Sequence, residues 1–199
     1  MATTFVNNAV LGFSNGPGIT LLGQADEPQT VINNLVEYVG IGIDASTAGD
    51  ALVRNNAIVD TSVGVVMHPS TEADHNLVAA PVEFVGGTPG AGNIIDLPPF
   101  FDPFAAGSPG IDRGSPDGAP SVDFQGAPRP LDGDDDGVAV VDMGPLESPP
   151  LGGFHAVQPF RLFDSREGKV PRLGPSSAFF AAQQQARVRF RRRGCEPSC

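Results

Sequence analysis

The sequence predicts an all-β protein, a right-handed parallel β-helix of about four coils. Three observations predict it. A repeat runs through the first eighty positions, each repeat holds short β-rich runs without a helical period, and asparagine recurs in each repeat at spacings of 26, 22 and 20.

The repeat appears when Val31-Ile-Asn-Asn-Leu-Val-Glu-Tyr-Val-Gly-Ile-Gly-Ile43 is set against Val53-Arg-Asn-Asn-Ala-Ile-Val-Asp-Thr-Ser-Val-Gly-Val65. Asn33/Asn55, Asn34/Asn56, Ile41/Val63, Gly42/Gly64 and Ile43/Val65 coincide. Phe5–Val10 extends the series upstream and Asp74–Val78 downstream, so the recurring residues are Asn8, Asn34, Asn56 and Asn76. Ile41 and Ile43, like Val63, Val65 and Met67, alternate at period 2, which marks a half-buried strand.

No single unit can bury its apolar face alone. Stacking solves this, because each strand then pairs with its copy in the next coil about 4.8 Å away. The four asparagines fall at one corner, where their amides can form a structural ladder and satisfy backbone groups that a turn leaves unpaired. A row of asparagines facing a sugar or an ion is the functional alternative. Gly42 and Gly64 suit a tight corner or a close approach of stacked backbones.

Composition divides the chain. Residues 1–150 carry 20 acids against three bases, whereas residues 151–199 carry nine bases against three acids, within an overall charge of −11. The acidic body disfavours nucleic acid and anionic membranes, since phosphate charge dominates binding to both. No apolar run approaches the ~20 residues of a membrane-spanning helix. The organisation read from this is β-helix coils over 1–80, a Pro/Gly-rich C-terminal cap over 81–150 and a partly disordered basic tail over 151–199. Sixteen of the 20 prolines lie between Pro81 and Pro175, so regular structure there must be short. The N-terminus has no basic, then apolar, leader pattern and starts in strand-like sequence, which reads as the C-terminal part of something longer.

Three motifs follow the repeat: Ser108-Pro-Gly-Ile-Asp112-Arg-Gly114, Asp123-Phe-Gln-Gly126-Ala-Pro-Arg129-Pro130 and Val141-Asp142-Met-Gly144-Pro-Leu-Glu147. In this order they resemble the SPAIDxG, DxxGxPRP and DIGAxE signature of choice-of-anchor Q domain proteins, bacterial surface proteins. Pro145 and Leu146 depart from that pattern. The resemblance covers residues 1–148 and implies an exported or surface-attached protein with a pectate-lyase-like right-handed β-helix and no general assigned activity. From the residues themselves the region reads as a cap that ends strand addition at an open solenoid edge. Asp112, Asp123, Asp142 and Glu147 are expected to fix Arg129 by charge-assisted, bidentate bonds.

Asp132-Gly-Asp134-Asp-Asp136-Gly137 places alternate carboxylates around one loop, a pattern of hard oxygen ligands suited to Ca²⁺. The position where an EF-hand requires Glu is Met143, so this is no EF-hand, and an acidic solvated turn is the plain alternative. Ca²⁺ is the one cofactor candidate.

The tail segment Phe154-His-Ala-Val-Gln-Pro159-Phe-Arg161-Leu-Phe-Asp164-Ser-Arg166 resembles the start, F-x-x-V-x-P-C-R-L-x-D-T-R, of a small β-rich module of exported bacterial proteins, with Phe160 where that module has Cys. Cys195 and Cys199 form a Cys-x3-Cys pair lacking the further ligands of a zinc site.

For catalysis, a polysaccharide lyase needs a base beside a uronate and a glycoside hydrolase needs two carboxylates across one cleft. Residues 1–150 contain no Lys, and Arg54 is the one base on a coil. Asp44 with Asp60, and His68 with His75, are the pairs that could meet across neighbouring coils. The expectation is therefore a non-catalytic extracellular or cell-surface module acting in adhesion or glycan contact, with no catalytic residues, no nucleic-acid partner and no membrane span. The alternative is a fragment of a carbohydrate-active enzyme, lyase or hydrolase, whose catalytic coils lie elsewhere.

Overall fold

The computed structural model describes residues 3–23, 28–98 and 102–150. The chain divides into two compact units, Met1–Gly153 and Phe154–Cys199. Every described residue lies in the first, so the tail motif, Cys195 and Cys199 lie outside the described residues.

Ten strands and no helix occur among the described residues. The first coil holds β1 (Thr3–Val6) and β2 (Ala9–Thr20), and the second β3 (Gln29–Ile32) and β4 (Leu35–Ala45). The third holds β5 (Ala51–Arg54), β6 (Ala57–Val59) and β7 (Val63–Met67), and the fourth β8 (Glu72–Asp74), β9 (Leu77–Ala79) and β10 (Val82–Val85). Every pairing between these strands is parallel. The described residues from Thr3 to Val85 form a parallel β-helix of four coils.

Three walls result. The first stacks β1, β3, β5 and β8. Leu35–Glu37 of β4 pairs with β6, while Ile41–Ala45 of the same strand pairs with β7. One long strand thus serves the second wall and turns the corner into the third. The coils continue to Val85, because β10 pairs with β7, which places the end of the repeat five residues beyond the expected boundary at 80.

Register stacks like on like. Phe5, Val31, Val53 and Ala73 follow one another through the first wall, as do Val36, Ile58 and Val78 through the second. Ile43 and Val65 continue the core in the third, and the core members of these rows from Val31 onward are buried. A Cβ on Gly42 would run into Ile58 Cγ2, and one on Gly64 into Val78 Cγ1, so these glycines make room for the row beside them.

The second wall is buried on both faces. Leu35, Ala57, Val59, Leu77 and Ala79 form a second apolar cluster outside the barrel of coils, closed by Met143 with Ile94 and Leu97 packed against it. Strands covered on both sides read as continuous apolar runs, which is what Ala57-Ile58-Val59 and Leu77-Val78-Ala79 are.

The expected terminal cap is therefore two structures. Residues 90–94 finish the last coil: Gly90 N–H donates to Ala73 O at 2.8 Å, Ile94 N–H to Asn76 O at 2.8 Å and Val78 N–H to Ile94 O at 2.8 Å. The segment bearing the three motifs lies along the flank and crosses several coils. The reason is physical: the outward apolar row of the second wall would otherwise face water. As its prolines predict, this segment has isolated bridges (Val122 with Pro128, Leu131 with Val140) in place of strands.

Candidate functional site

The corner between the first and second walls carries two asparagine rows with different tasks. Asn7, Asn33 and Asn55 have φ near +54 (53, 54 and 55), and His75 takes the same place in the fourth coil at φ 50. This left-handed conformation is costly for most L-residues and tolerated best by Gly, Asn and Asp.

The next residue in each coil builds the ladder. Asn34 Oδ1 accepts from Asn8 N and Nδ2, both at 2.9 Å. Asn56 Oδ1 accepts likewise from Asn34, both at 2.9 Å, and Asn76 Oδ1 from Asn56 at 3.0 and 2.9 Å. Asn93 is a fifth member, taking bonds from Asn76 N and Nδ2 at 2.9 and 3.1 Å. Sequence reasoning missed it because Asn93 stands 17 residues after Asn76 in a segment without strand pattern. The remaining amide proton of each ladder residue goes to a neighbouring carbonyl, as from Asn56 Nδ2 to Val31 O at 2.9 Å. Asn34, Asn56 and Asn76 are fully buried, so these three present no face to a sugar or ion.

The first asparagine of each pair points outward and holds the flank. Asn33 Nδ2 donates to Asp142 O and Gly144 O, both at 3.0 Å. Asn55 Nδ2 donates to Ser115 O at 2.7 Å, and its Oδ1 accepts from Ser115 N at 2.8 Å. Asn7 Nδ2 reaches Val122 O at 2.8 Å.

The three motifs meet here, but not as the expected arginine-centred cluster. Of the four acids, only Glu147 forms an ion pair with Arg129 among the described residues, at 2.9 Å from Nη1 to Oε1, with both side chains essentially inaccessible. The other three clip backbone. Asp112 accepts from Asp134 N at 2.8 Å and Val140 N at 3.2 Å, and Asp123 from Gln125 N, Ala127 N and Glu147 N at 2.8, 2.8 and 3.0 Å. Asp142 accepts from Asp112 N at 2.8 Å and Ser148 N at 2.6 Å. Prolines and irregular backbone leave amides that no ladder can pair, and a buried carboxylate with two oxygens satisfies two or three at once. Arg129 adds Nη2 to Gly144 O at 3.0 Å.

Burial pushes the Glu147 carboxyl up to about 7, against the opposing pull of bonds from Asp142 N and Leu131 N. Burial likewise raises Asp142 and lowers Arg129. For Asp123 burial is outweighed by its backbone donors, led by Glu147 N–H, and its carboxyl sits below the usual range.

In the acidic loop, carboxylate oxygens of Asp112, Asp132 and Asp134 lie within 4.8 Å of one another. Asp112 thus joins from the first motif, while Asp136 Oδ1 is turned onto Val138 N at 2.8 Å. Asp132 and Asp134 also accept from within the loop, both from Asp136 N at 3.1 Å.

On the outer face of the first wall, Arg54 grips Asp74 with two bonds, Nε to Oδ1 at 2.6 Å and Nη2 to Oδ2 at 2.7 Å. Nη2 also reaches Glu72 at 3.2 Å, and His75 Nδ1 lies 3.0 Å from Asp74 Oδ1. Burial opposes the Asp74 carboxylate, yet the bonds from Arg54 and His75 hold it below its ordinary value. Beside this cluster runs an open groove of about 380 Å³ lined by Thr30, Asp50, Leu52, Ser70 and Glu72.

The other pairs weighed from sequence stay apart. Asp44 is level with Val66 in the third wall, six residues past Asp60 on the coil. His68 Nδ1 bonds Ser70 Oγ at 2.8 Å, whereas His75 is held by Asp74. No helix among the described residues is long and apolar enough to cross a membrane. No family model, curated protein or solved structure matches this chain.

Proposed function

We propose that this chain is a non-catalytic, extracellular or cell-surface β-helix module that contacts neutral glycan through the groove of the first wall. The observation that carries this reading is the division of labour among the acids. The buried carboxylates are occupied by backbone amides, by Arg129 at Glu147 and by Arg54 at Asp74, whereas Asp50 and Glu72, the latter bonded once to Arg54, stand exposed in the groove beside Thr30 and Ser70. Exposed carboxylates and hydroxyls suit sugar hydroxyl groups, and Leu52 offers apolar surface to a ring face. Arg54 is engaged by Asp74 and Glu72, and the body is strongly acidic, so uronates are disfavoured.

The test is calorimetry with neutral and uronate oligosaccharides. Binding of a neutral oligosaccharide is expected, lost in an Asp50→Ala/Glu72→Ala variant of unchanged melting temperature. Failure of every oligosaccharide to bind overturns the reading.

One observation favours a second reading, a piece of a carbohydrate-active enzyme: Asp50 and Glu72 line the same groove, and two carboxylates across one cleft are what glycoside hydrolysis uses. Reducing ends released by the native chain and not by Glu72→Gln would establish it in place of the first.

Asp112, Asp132 and Asp134 have the spacing of oxygen ligands around Ca²⁺. A rise in melting temperature with millimolar Ca²⁺, absent in Asp134→Ala, is the expected sign of a structural ion in this loop, and equal melting in both removes it.

A further inference from the structure

A second cavity, of about 370 Å³ and partly enclosed, lies in the flank segment and shares no residue with the groove of the first wall. Ser108, Pro109, Ile111, Arg113, Gly133 and Asp134 line it. One side is built from two successive turns, in which Ser108 N–H donates to Ala105 O at 2.9 Å and Ile111 N–H to Ser108 O at 3.1 Å. This side is fastened to the buried third motif: Met143 N–H donates to Gly110 O at 2.9 Å, and Gly114 N–H to Val141 O at 2.7 Å. The other side is the acidic loop, which sits so close that a Cβ on Gly133 would come 2.8 Å from Ile111 Cγ2. Asp112, only 8% exposed, joins the two sides, because its carboxylate accepts from Asp134 N at 2.8 Å.

The cavity holds two opposite charges that do not neutralise each other. Residues 1–150 contain three bases. Arg54 is held by Asp74 and Glu72, and Arg129 by Glu147. The Arg113 side chain has no ion pair or hydrogen bond among the described residues, although Asp134 lines the same cavity. Both side chains are exposed, yet their backbones are fixed through one buried residue: Arg113 follows Asp112 in the chain, and Asp134 N–H is bonded to the Asp112 carboxylate. We propose that this cavity binds a small zwitterion of the amino-acid class, with the ligand's carboxylate on Arg113 and its ammonium group on Asp134.

Charge selects this class of ligand. A simple anion would meet Arg113, but it would also meet the repulsive field of a body with 20 acids against three bases. A simple cation gains nothing from Arg113 and is satisfied at any exposed acid. A zwitterion carries no net charge against that field and makes a charge-assisted bond at each end, the guanidinium fork being matched to a carboxylate. Pro109 and Ile111 offer apolar surface to the carbon chain between the two charged ends. The inference goes beyond the glycan reading of the first wall and needs no Ca²⁺ in the acidic loop.

The test is calorimetry of the full chain, freed of divalent cations so that Asp134 is available. The probes are glycine, β-alanine, γ-aminobutyrate and ε-aminocaproate, a series that sets the two charges progressively further apart. At least one member is expected to bind, while butyrate and butylamine at the same millimolar concentration do not. Arg113→Gln and Asp134→Asn are each expected to weaken that binding about tenfold, with an unchanged melting temperature because both side chains are exposed. Asp50→Ala/Glu72→Ala, in the first-wall groove, is expected to leave it intact, which separates failure here from failure of the glycan reading. Absence of binding by every member of the series overturns the proposal. So does binding that survives Arg113→Gln undiminished, or butylamine binding as tightly as the zwitterion, which would mean a cation held by the acidic loop alone.

Discussion

Asn55 and Ser115 clasp one another across 60 residues of sequence: the Asn55 amide donates to Ser115 O at 2.7 Å and accepts from Ser115 N at 2.8 Å. A side-chain amide thus imitates a strand backbone and fastens irregular chain to a solenoid corner. Asn55 holds φ 55, so the residue must also tolerate the left-handed region.

Replacing Asn55 separates these tasks. Asn55→Gly keeps the backbone conformation and loses the clasp, and Asn55→Ala loses both. We expect Asn55→Gly to cost about 2 kcal/mol, from two buried bonds whose loss takes the partner from both the N–H and the C=O of Ser115, and Asn55→Ala roughly 1 kcal/mol more from backbone strain. Urea denaturation measures both, and equal losses would mean that φ is of no consequence there.

Within the ladder, position decides cost. Asn56 is buried and bonded on both sides, whereas Asn8 is exposed at the end. Asn56→Ala takes away the acceptor of the buried Asn34 N–H and Nδ2 and one of the two donors to Asn76 Oδ1, and is expected to destabilise by about 3 kcal/mol, against under about 1 kcal/mol for Asn8→Ala. Thermal melts of the two variants check the order.

On the first wall, Arg54 and Asp74 are largely buried and doubly bonded. Arg54→Met leaves Asp74 charged without its guanidinium and is expected to cost about 3 kcal/mol. The joint Arg54→Met/Asp74→Leu variant should recover much of that loss. A double-mutant cycle by denaturation reads the coupling, and additive losses would mean the pair acts independently.

Stability should fall as pH rises toward neutrality. The Glu147 carboxyl, pushed from 4.5 to about 7 by burial, binds a proton in the native protein that the unfolded chain has released across that window. The native state is therefore favoured on the acid side, and this advantage is lost as pH climbs through about 7. Asp74 and Asp123, both lowered from 3.8, act oppositely: the stability they supply is present above that value and lost as pH falls below it. Denaturation between pH 5 and 7.5 should show the decline, with Glu147→Gln flattening its slope while lowering stability overall.

The coils were legible because a solenoid repeats its environment. Positions that meet the same neighbours in each turn, such as Val31 and Val53 or Asn34 and Asn56, converge on the same residue type. The apolar runs at Ala57–Val59 and Leu77–Ala79 were visible too, and their lack of alternation was the available signal that something covers the second wall from outside.

The sequence by itself determined the β-helix, its ladder corner and the grouping of three motifs, since these rest on local periodicity and on residue types with few conformational options. The tertiary structure decided what the motifs do. That Asp112, Asp123 and Asp142 hold amides while Glu147 alone pairs with Arg129, and that the segment lies along the flank, depends on contacts such as Asn33 to Gly144, 111 residues apart. Spacing along the chain carries no information about such contacts, because an irregular segment with many prolines finds its place only when an already folded wall presents apolar surface and outward amides to receive it.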